Sequence, residues 1–333
     1  MKLVSFFILS LLFSSCSQLL KNDLPVFDKD LTGFHYPFPV EYFKLKSQRQ
    51  TLEMAYMDLN KESKKVFVLL HGKNFSGFYF EGIANELVAK GYRVIIPDQI
   101  GFGKSTKPKN YQYSFYNLAI NTNALISSLG IEQYSLLGHS MGGMLATHFT
   151  YLYPSKVSKL ILINPIGLEP YLKYVEYKDP QFFYNIELKK TPEKFRAYQR
   201  KNYYDGKWKK EYDKLLIPYS GQMRGPDWPL VAWNNALTYG PIFSEDITTK
   251  FSEIKVPVAL IIGTRDRTGP GRNWKKLGVK KKLGDYKVLG KLAAKKITKA
   301  RLFELAGLGH MPQFEDYEKF KIALNKALQF QTK

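Results

Sequence analysis

The segment Leu136-Leu137-Gly138-His139-Ser140-Met141-Gly142-Gly143 constrains what this chain can fold into more than any other stretch. An apolar run over residues 134–137 enters a Gly-x-Ser-x-Gly turn, and a helical pattern leaves it through Met144, Leu145, Thr147 and His148. A serine at the apex of a strand–turn–helix is forced into a strained, exposed conformation. Glycines on both sides let strand and helix approach, so the hydroxyl projects from the end of a sheet. The pattern alone is weak. With Gly and Ser each near 7% of residues, roughly one chain of this length in ten contains it by chance. Its meaning depends on the elements around it and on partners further along.

Those elements can be read in order. Residues 40–46 and 50–59 alternate as an antiparallel strand pair does. Residues 66–70 form a continuous apolar run, expected of a strand buried on both faces of a parallel sheet. Helices are predicted over 80–90, stopping at Gly91, and over 114–129, stopping at Gly130; a strand over 92–96 lies between them. Further buried strands are expected at 160–163, 258–263 and 300–305, and an amphipathic helix closes the chain at 314–330. Such alternation means a mostly parallel α/β sheet flanked by helices and linked by right-handed crossovers. Residues 169–250 break the rhythm. They carry seventeen aromatics, three of the four Trp among them, and no buried strand run. A mainly helical lid inserted between two strands fits both facts, its aromatics building a core of their own and lining a pocket.

Acyl transfer by serine needs a base for the hydroxyl proton, an acid to orient that base, and N–H donors for the oxyanion. Two histidines follow Ser140. His148 lies on the helix leaving the turn and points away from it. His310 sits in Gly307-Leu308-Gly309-His310-Met311-Pro312, a loop able to swing an imidazole over the carboxyl edge of the sheet, and is the expected general base. Asp266, just after the 258–263 strand, is the expected acid; otherwise it caps a turn. Asn164, after the preceding strand, cannot serve as a carboxylate, and Glu245 and Asp246 precede a strand and so fall at the wrong end.

The order Ser140…Asp266…His310, together with His71-Gly72, Pro97-Asp98, Gly101-Phe102-Gly103-Lys104-Ser105 and Gly309-His310, resembles the lid-bearing α/β-hydrolase fold family, in its serine esterase and lipase-like branch. The similarity covers residues 40–330. It implies a core of residues 40–168 and 251–333, a lid of 169–250, and an oxyanion hole made by the backbone N–H groups of Lys73 and Met141. It also implies structural, loop-holding roles for His71 and Asp98, and a packing role for His139. Related haloalkane dehalogenases and epoxide hydrolases carry Asp where this chain has Ser140, which disfavours their reactions. Lys73 departs from the Gly-rich segments of many lipases and esterases; its side chain either salt-bridges outward or meets an anionic substrate group at the pocket mouth. The expected function is a serine hydrolase that cleaves carboxylic esters with small or medium apolar acyl groups, through an acyl-enzyme. The alternatives are a carbon–carbon bond hydrolase of the same fold and a ligand-binding signalling member with slow turnover. No cofactor, metal or protein partner is called for.

Residues 1–16 read as an export signal: Lys2, an apolar run to Phe13, then Ser14-Ser15-Cys16. The run is too short to span a bilayer. Cys16 is the only cysteine, so the chain has no internal disulfide and no thiolate metal site. Its position resembles that of the lipidated cysteine of bacterial lipoproteins; ordinary signal cleavage and an uncleaved anchor are the alternatives. Residues 17–39, with Pro25, Pro37 and Pro39, read as a tether. The net charge of +21 is concentrated at 269–301, where twelve Lys or Arg face the single acid Asp285. That stretch is either a solvated Lys-rich surface or a face drawn to an anionic membrane. Nucleic acid is disfavoured, because the stretch lacks any recognisable binding motif. The expected location is exported, anchored at a bacterial membrane through Cys16, or else soluble in the periplasm or secreted.

Overall fold

Runs of five or six apolar residues bury both of their faces only inside a sheet covered by helices on each side, and the strands follow that rule. In the computed structural model, which describes residues 25–331, Val66–Leu70 (β3), Tyr134–His139 (β5) and Val258–Gly263 (β7) are buried almost throughout. With Arg93–Pro97 (β4), Val157–Ile163 (β6) and Ala300–Leu305 (β8) they form the parallel part of one eight-stranded sheet. The order is β1-β2-β4-β3-β5-β6-β7-β8, where Glu41–Ser47 (β1) and Gln50–Leu59 (β2) pair antiparallel at one edge. The two edge strands β1 and β8 are half exposed, and their sequences are correspondingly mixed. β5 lies at the centre, between β3 and β6, so its carboxyl end opens at the middle of the sheet.

Glu81–Ala89 (α1), Phe115–Ser128 (α2) and Met141–Leu152 (α3) cover the sheet within its first half. Ser114 caps α2 by accepting a hydrogen bond from the Asn117 N–H. One face of the sheet packs on Phe115, Leu118, Leu125 and Phe149. The other packs on Phe80 and Leu87 and on Phe320 and Leu324 of the closing helix.

Between β6 and β7 the chain leaves the sheet through six helices: Tyr171–Tyr174 (α4), Pro180–Leu188 (α5), Pro192–Asn202 (α6), Asp213–Met223 (α7), Trp228–Leu237 (α8) and Tyr239–Ser244 (α9). α5 and α6 each begin with Pro after a capping Asp179 or Thr191, a start signal written in the sequence. The insertion has a small core of its own, Phe195, Leu216, Tyr219, Trp228 and Val231. Tyr171, Phe183 and Phe243 pack into one core of the sheet domain and Tyr203, Tyr204 and Tyr212 into the other, whereas Tyr177 and Tyr198 are exposed. After β7 come an irregular segment, Tyr286–Lys296 (α10), β8, a single turn Pro312–Glu315 (α11) and Tyr317–Gln329 (α12). α10 buries Leu289 and Ala293 and leaves Lys287, Lys291, Lys295 and Lys296 exposed. No helix among the described residues is long and apolar enough to cross a membrane.

One expectation is corrected. Residues 25–39 have no regular structure, but they are not a free tether. Phe27 and Leu31 are buried, the Phe27 N–H donates to Gly221 O at 3.1 Å, and Gln222 Nε2 donates to Lys29 O at 2.9 Å. Tyr36 donates to Asp98 Oδ2 at 2.6 Å. Proline excludes helix and strand but does not prevent burial, and Phe27, Leu31, Phe34 and Tyr36 carry enough apolar surface to strap the segment across α7 and the sheet edge. The expected export signal over residues 1–16, with Cys16, and residues 17–24 lie outside the described residues.

Candidate functional site

Ser140 is the residue between β5 and α3, with φ 56° and ψ −119°, a conformation that costs a side chain of L configuration about 1–3 kcal/mol and persists only where the surroundings impose it. They do so by close packing. A methyl group on Gly142 would overlap the Leu70 carbonyl of β3, so only glycine lets α3 start this near the sheet. A Cβ on Gly72 would lie 3.1 Å from the Cβ of Ser140, which puts the 72–73 segment beside the serine.

The three residues expected to work together are together. Ser140 Oγ lies 2.9 Å from His310 Nε2, and His310 Nδ1 lies 2.7 Å from Asp266 Oδ2. Because an ionised carboxylate only accepts, Nδ1 carries the proton, which leaves the Nε2 lone pair for the serine hydroxyl. Burial by itself pushes the Asp266 carboxyl up. The adjoining His310, with the hydrogen bonds of Asp266 to His310 and Thr268, outweighs that and holds it below the usual carboxylate range. Asp266 Oδ1 accepts the Thr268 N–H at 2.8 Å, and Oδ2 accepts Asn164 Nδ2 at 2.8 Å. Asn164 is fixed in turn by accepting the Gly263 N–H at 3.0 Å. The sequence reading dismissed Asn164 as a carboxylate and missed this orienting role. Its signal was its place at the carboxyl end of the neighbouring strand.

Met141 is the first residue of α3, so its N–H has no acceptor within the helix and points with the positive end of the helix dipole. Lys73 follows Gly72 on the opposite side of Ser140. Its side chain does not run outward, in contrast to one of the two expectations. It is 10% exposed and turns into the insertion, where Nζ donates to Asn235 Oδ1 at 2.9 Å and lies 3.6 Å from Glu187 Oε1 and 4.1 Å above the Tyr239 ring. Burial drags the ammonium down to about 7 against the pull of Glu187. Glu187 is fully buried; that pushes it up, but Lys190 and Lys73 prevail and leave it lowered. Phe183, Tyr239 and Phe243 stack beside this cluster.

Two further contacts escaped the sequence. Tyr79 accepts the Gly72 N–H at 2.9 Å and donates to His139 Nδ1 at 2.9 Å, and His139 Nε2 donates to the His310 carbonyl at 2.9 Å. One relay thus holds the loop after β3 to the loop that carries His310. His139 is completely buried, and burial with the nearby His310 brings its imidazole down to about 3, so it stays neutral. The other contact comes from the insertion. The Tyr203 ring lies 4.7 Å from that of His310, and the Tyr203 carbonyl sits where any side chain on Gly309 would be. Arg265 ties the same parts together, donating to Gly307 O at 2.8 Å and Tyr203 O at 3.3 Å and pairing with Glu315, which accepts the Gly309 N–H. Ser140 is 8% exposed and His310 1%, so the site is closed beneath the insertion. His71 and Asp98 stand apart from the chemistry: His71 Nε2 accepts the Gln99 N–H, and Asp98 accepts the Gly77 and Lys104 N–H groups. His148 lies 3.7 Å from Glu245, away from the serine.

A central parallel sheet with a strained serine between strand and helix, and a histidine loop after the last strand, defines a hydrolase of the α/β-hydrolase fold. The chain belongs to that family: the sequence profile of the alpha/beta hydrolase fold matches residues 65–211. It is similar to a "probable hydrolytic enzyme" of Pseudomonas aeruginosa, with 42% identity, TM-score 0.89, and 92% of this chain and 99% of that one covered. It is also similar to the AB hydrolase superfamily protein YisY of Bacillus subtilis, 29% identical over 260 residues, which are 76% of this chain and 87% of that protein. An esterase of Exiguobacterium antarcticum shares the fold at 20% identity and TM-score 0.67, over 87% of this chain and all of that one.

Proposed function

We propose that this hydrolase cleaves carboxylic esters through an acyl-enzyme formed on Ser140. The observation that carries the reading is the continuous chain Ser140 Oγ, His310 Nε2, His310 Nδ1, Asp266 Oδ2, with links of 2.9 and 2.7 Å. In the first step Ser140 Oγ bonds to the ester carbonyl carbon as its proton passes to His310 Nε2, and the carbonyl electron pair moves onto oxygen. Asp266 stabilises the imidazolium so formed, and the N–H groups of Met141 and Lys73 receive the oxyanion. Collapse breaks the bond to the alkoxy oxygen, which takes the proton from Nε2 and leaves as alcohol. Water then follows the same path, and the carboxylic acid departs. The aromatic stack beside Lys73 supports small or medium apolar acyl groups.

We infer in addition that the chain is exported and held at a membrane by a lipid on Cys16, a reading supported by the apolar segment before that cysteine.

An organophosphate should label the purified protein once, at Ser140, and p-nitrophenyl esters of graded chain length should be hydrolysed. Ser140→Ala should lose both properties. Labelling elsewhere, or hydrolysis that survives in Ser140→Ala, would refute the assignment.

A further inference from the structure

The Lys73 N–H sits in a turn with few restraints of its own. Gly72 O accepts the Phe75 N–H at 3.3 Å and Asn74 has φ 67°, so residues 72–75 form a turn whose closing bond leaves the Lys73 N–H unused. Tyr79 pins the Gly72 end. Lys73 is held from elsewhere, by its side chain. The groups around its ammonium, Asn235, Glu187 and Tyr239, all belong to the insertion.

Each of those groups is fixed before it meets the lysine. Asn235 Nδ2 donates to Val231 O at 3.2 Å within α8, which turns the amide oxygen toward Lys73 Nζ, 2.9 Å away. Glu187, at the end of α5, gives Oε2 to the Tyr219 hydroxyl at 2.9 Å and to Lys190 Nζ at 2.6 Å. Its Oε1 has no hydrogen bond and lies 3.6 Å from Lys73 Nζ. The Tyr239 ring of α9 faces the same nitrogen at 4.1 Å. A side chain buried along its stem and held at its tip leaves its own Cα little freedom. Burial costs this ammonium its water and draws it down to about 7, so the ion pair is a poor source of net stability. What it supplies is register between the insertion and the turn beside Ser140.

We propose that Asn235 and Glu187 are positioning residues for the reaction at Ser140, acting through Lys73: the docking of α5 and α8 on the lysine side chain sets the Lys73 N–H where the oxyanion forms. This role rests on the acyl-enzyme reading above. The segment lies close against the serine, since a Cβ on Gly72 would be 3.1 Å from the Ser140 Cβ. A shift of the turn therefore changes the donor distance directly, and a misplacement of about 1 Å costs on the order of 10² in rate.

The test compares the wild type with Lys73→Met, Asn235→Ala and Glu187→Gln, and with Asn235→Ala and Glu187→Gln each added to Lys73→Met. Met keeps the main-chain N–H and an unbranched stem but loses the ammonium. Two quantities are read in the full protein: p-nitrophenyl ester kinetics per organophosphate-titrated site, and the Ki of an alkyl trifluoromethyl ketone. The ketone carbon bonds to Ser140 Oγ, whose proton passes to His310, and the ketone oxygen becomes an oxyanion in the hole. Each single variant should lower kcat by about 10- to 100-fold with KM changed less than about twofold, and should weaken the ketone by the same factor. In the Lys73→Met background the insertion substitutions should cost nothing more, because the residue they act through is gone. A merely structural role would lower Tm and leave kcat per titrated site and ketone affinity unchanged. That result, losses carried by KM, or additive losses in the double variants would overturn the proposal. A wild type that binds the ketone but hydrolyses no ester refutes the ester reading alone, and the ketone series then decides the role of Asn235 and Glu187. A wild type that does not bind the ketone overturns both.

Discussion

At the scale of single residues, the site depends on which atom holds which proton. Asp266 Oδ1 accepts the Thr268 N–H, and Oδ2 accepts both Asn164 Nδ2 and His310 Nδ1. Asp266→Asn should keep this packing with its carboxamide oxygen in the Oδ1 place, accepting the Thr268 N–H, which puts its NH₂ in the Oδ2 place facing His310. Nδ1 would then have to accept, Nε2 would carry the proton, and turnover should fall by about 10⁴ while the melting curve is little changed. Steady-state kinetics on a p-nitrophenyl ester measures this, and near-normal kcat would remove Asp266 from the mechanism. His139 gives a pH prediction. Its imidazole stays neutral in the folded protein down to about 3, whereas an unfolded histidine takes its proton near 6.5. The folded value is the lower one, so over that interval the unfolded chain binds the extra proton and stability falls as pH drops. The loss should approach about 1.4 kcal/mol per pH unit within the window. His139→Gln has no such proton to gain; its deficit against the wild type in urea titrations should narrow between pH 7 and pH 5. A constant deficit would contradict the assignment.

At the scale of elements, the insertion is fastened to the sheet domain at the points where chemistry would occur. Arg265, the residue before Asp266, reaches the base loop at Gly307, the insertion at Tyr203 and the α11 turn at Glu315. Lys73 reaches Glu187 and Asn235 from the opposite side. The aromatic content of 169–250 follows from this double duty, since Phe195 and Trp228 serve the insertion's own core while Tyr203 covers His310. Arg265→Met keeps the aliphatic stem and loses the charged hydrogen bonds. It should cost about 1.5–3 kcal/mol in urea unfolding. It should also lower kcat, because the loop carrying His310 loses its tie to Tyr203. A stability loss with kcat intact would show that Arg265 fastens the fold without positioning the base.

At the scale of the whole molecule, charge and the amino-terminal strap set how the body would sit at a surface. Residues 25–39 are bound to the body, and Cys16 lies nine residues before Pro25 along the chain. Nine residues reach at most about 32 Å. The exposed lysines of α10 can then meet anionic headgroups, at about 1 kcal/mol per contacting side chain. Salt should weaken that contact without releasing a lipid-anchored chain, since apolar burial is not screened. Wild-type protein should stay with membranes after a high-salt wash, whereas Cys16→Ala should become soluble or remain unprocessed. Equal release of both would leave a hydrolase without a lipid anchor.

The sequence by itself determined what depends on neighbours along the chain. Apolar runs set the strands, and Ser114, Asp179 and Thr191 mark helix starts that the structure keeps. The Gly-x-Ser-x-Gly turn set the strained serine, and the order Ser140, Asp266, His310 was legible because each follows a strand at the same edge of a parallel sheet. Only the tertiary structure decided which side chains meet. Asn164 and Asp266 are 102 residues apart, Lys73 and Asn235 are 162, and His139 and the His310 carbonyl are 171. Periodicity reports which face of an element is buried, but not which residue of a distant element lies opposite it. The strap at 25–39 shows the same limit from the other direction. Its prolines correctly exclude helix and strand, yet whether Phe27 and Leu31 find a surface depends on where α7 comes to rest. Burial is settled by packing between elements, and packing has no local signature in the chain.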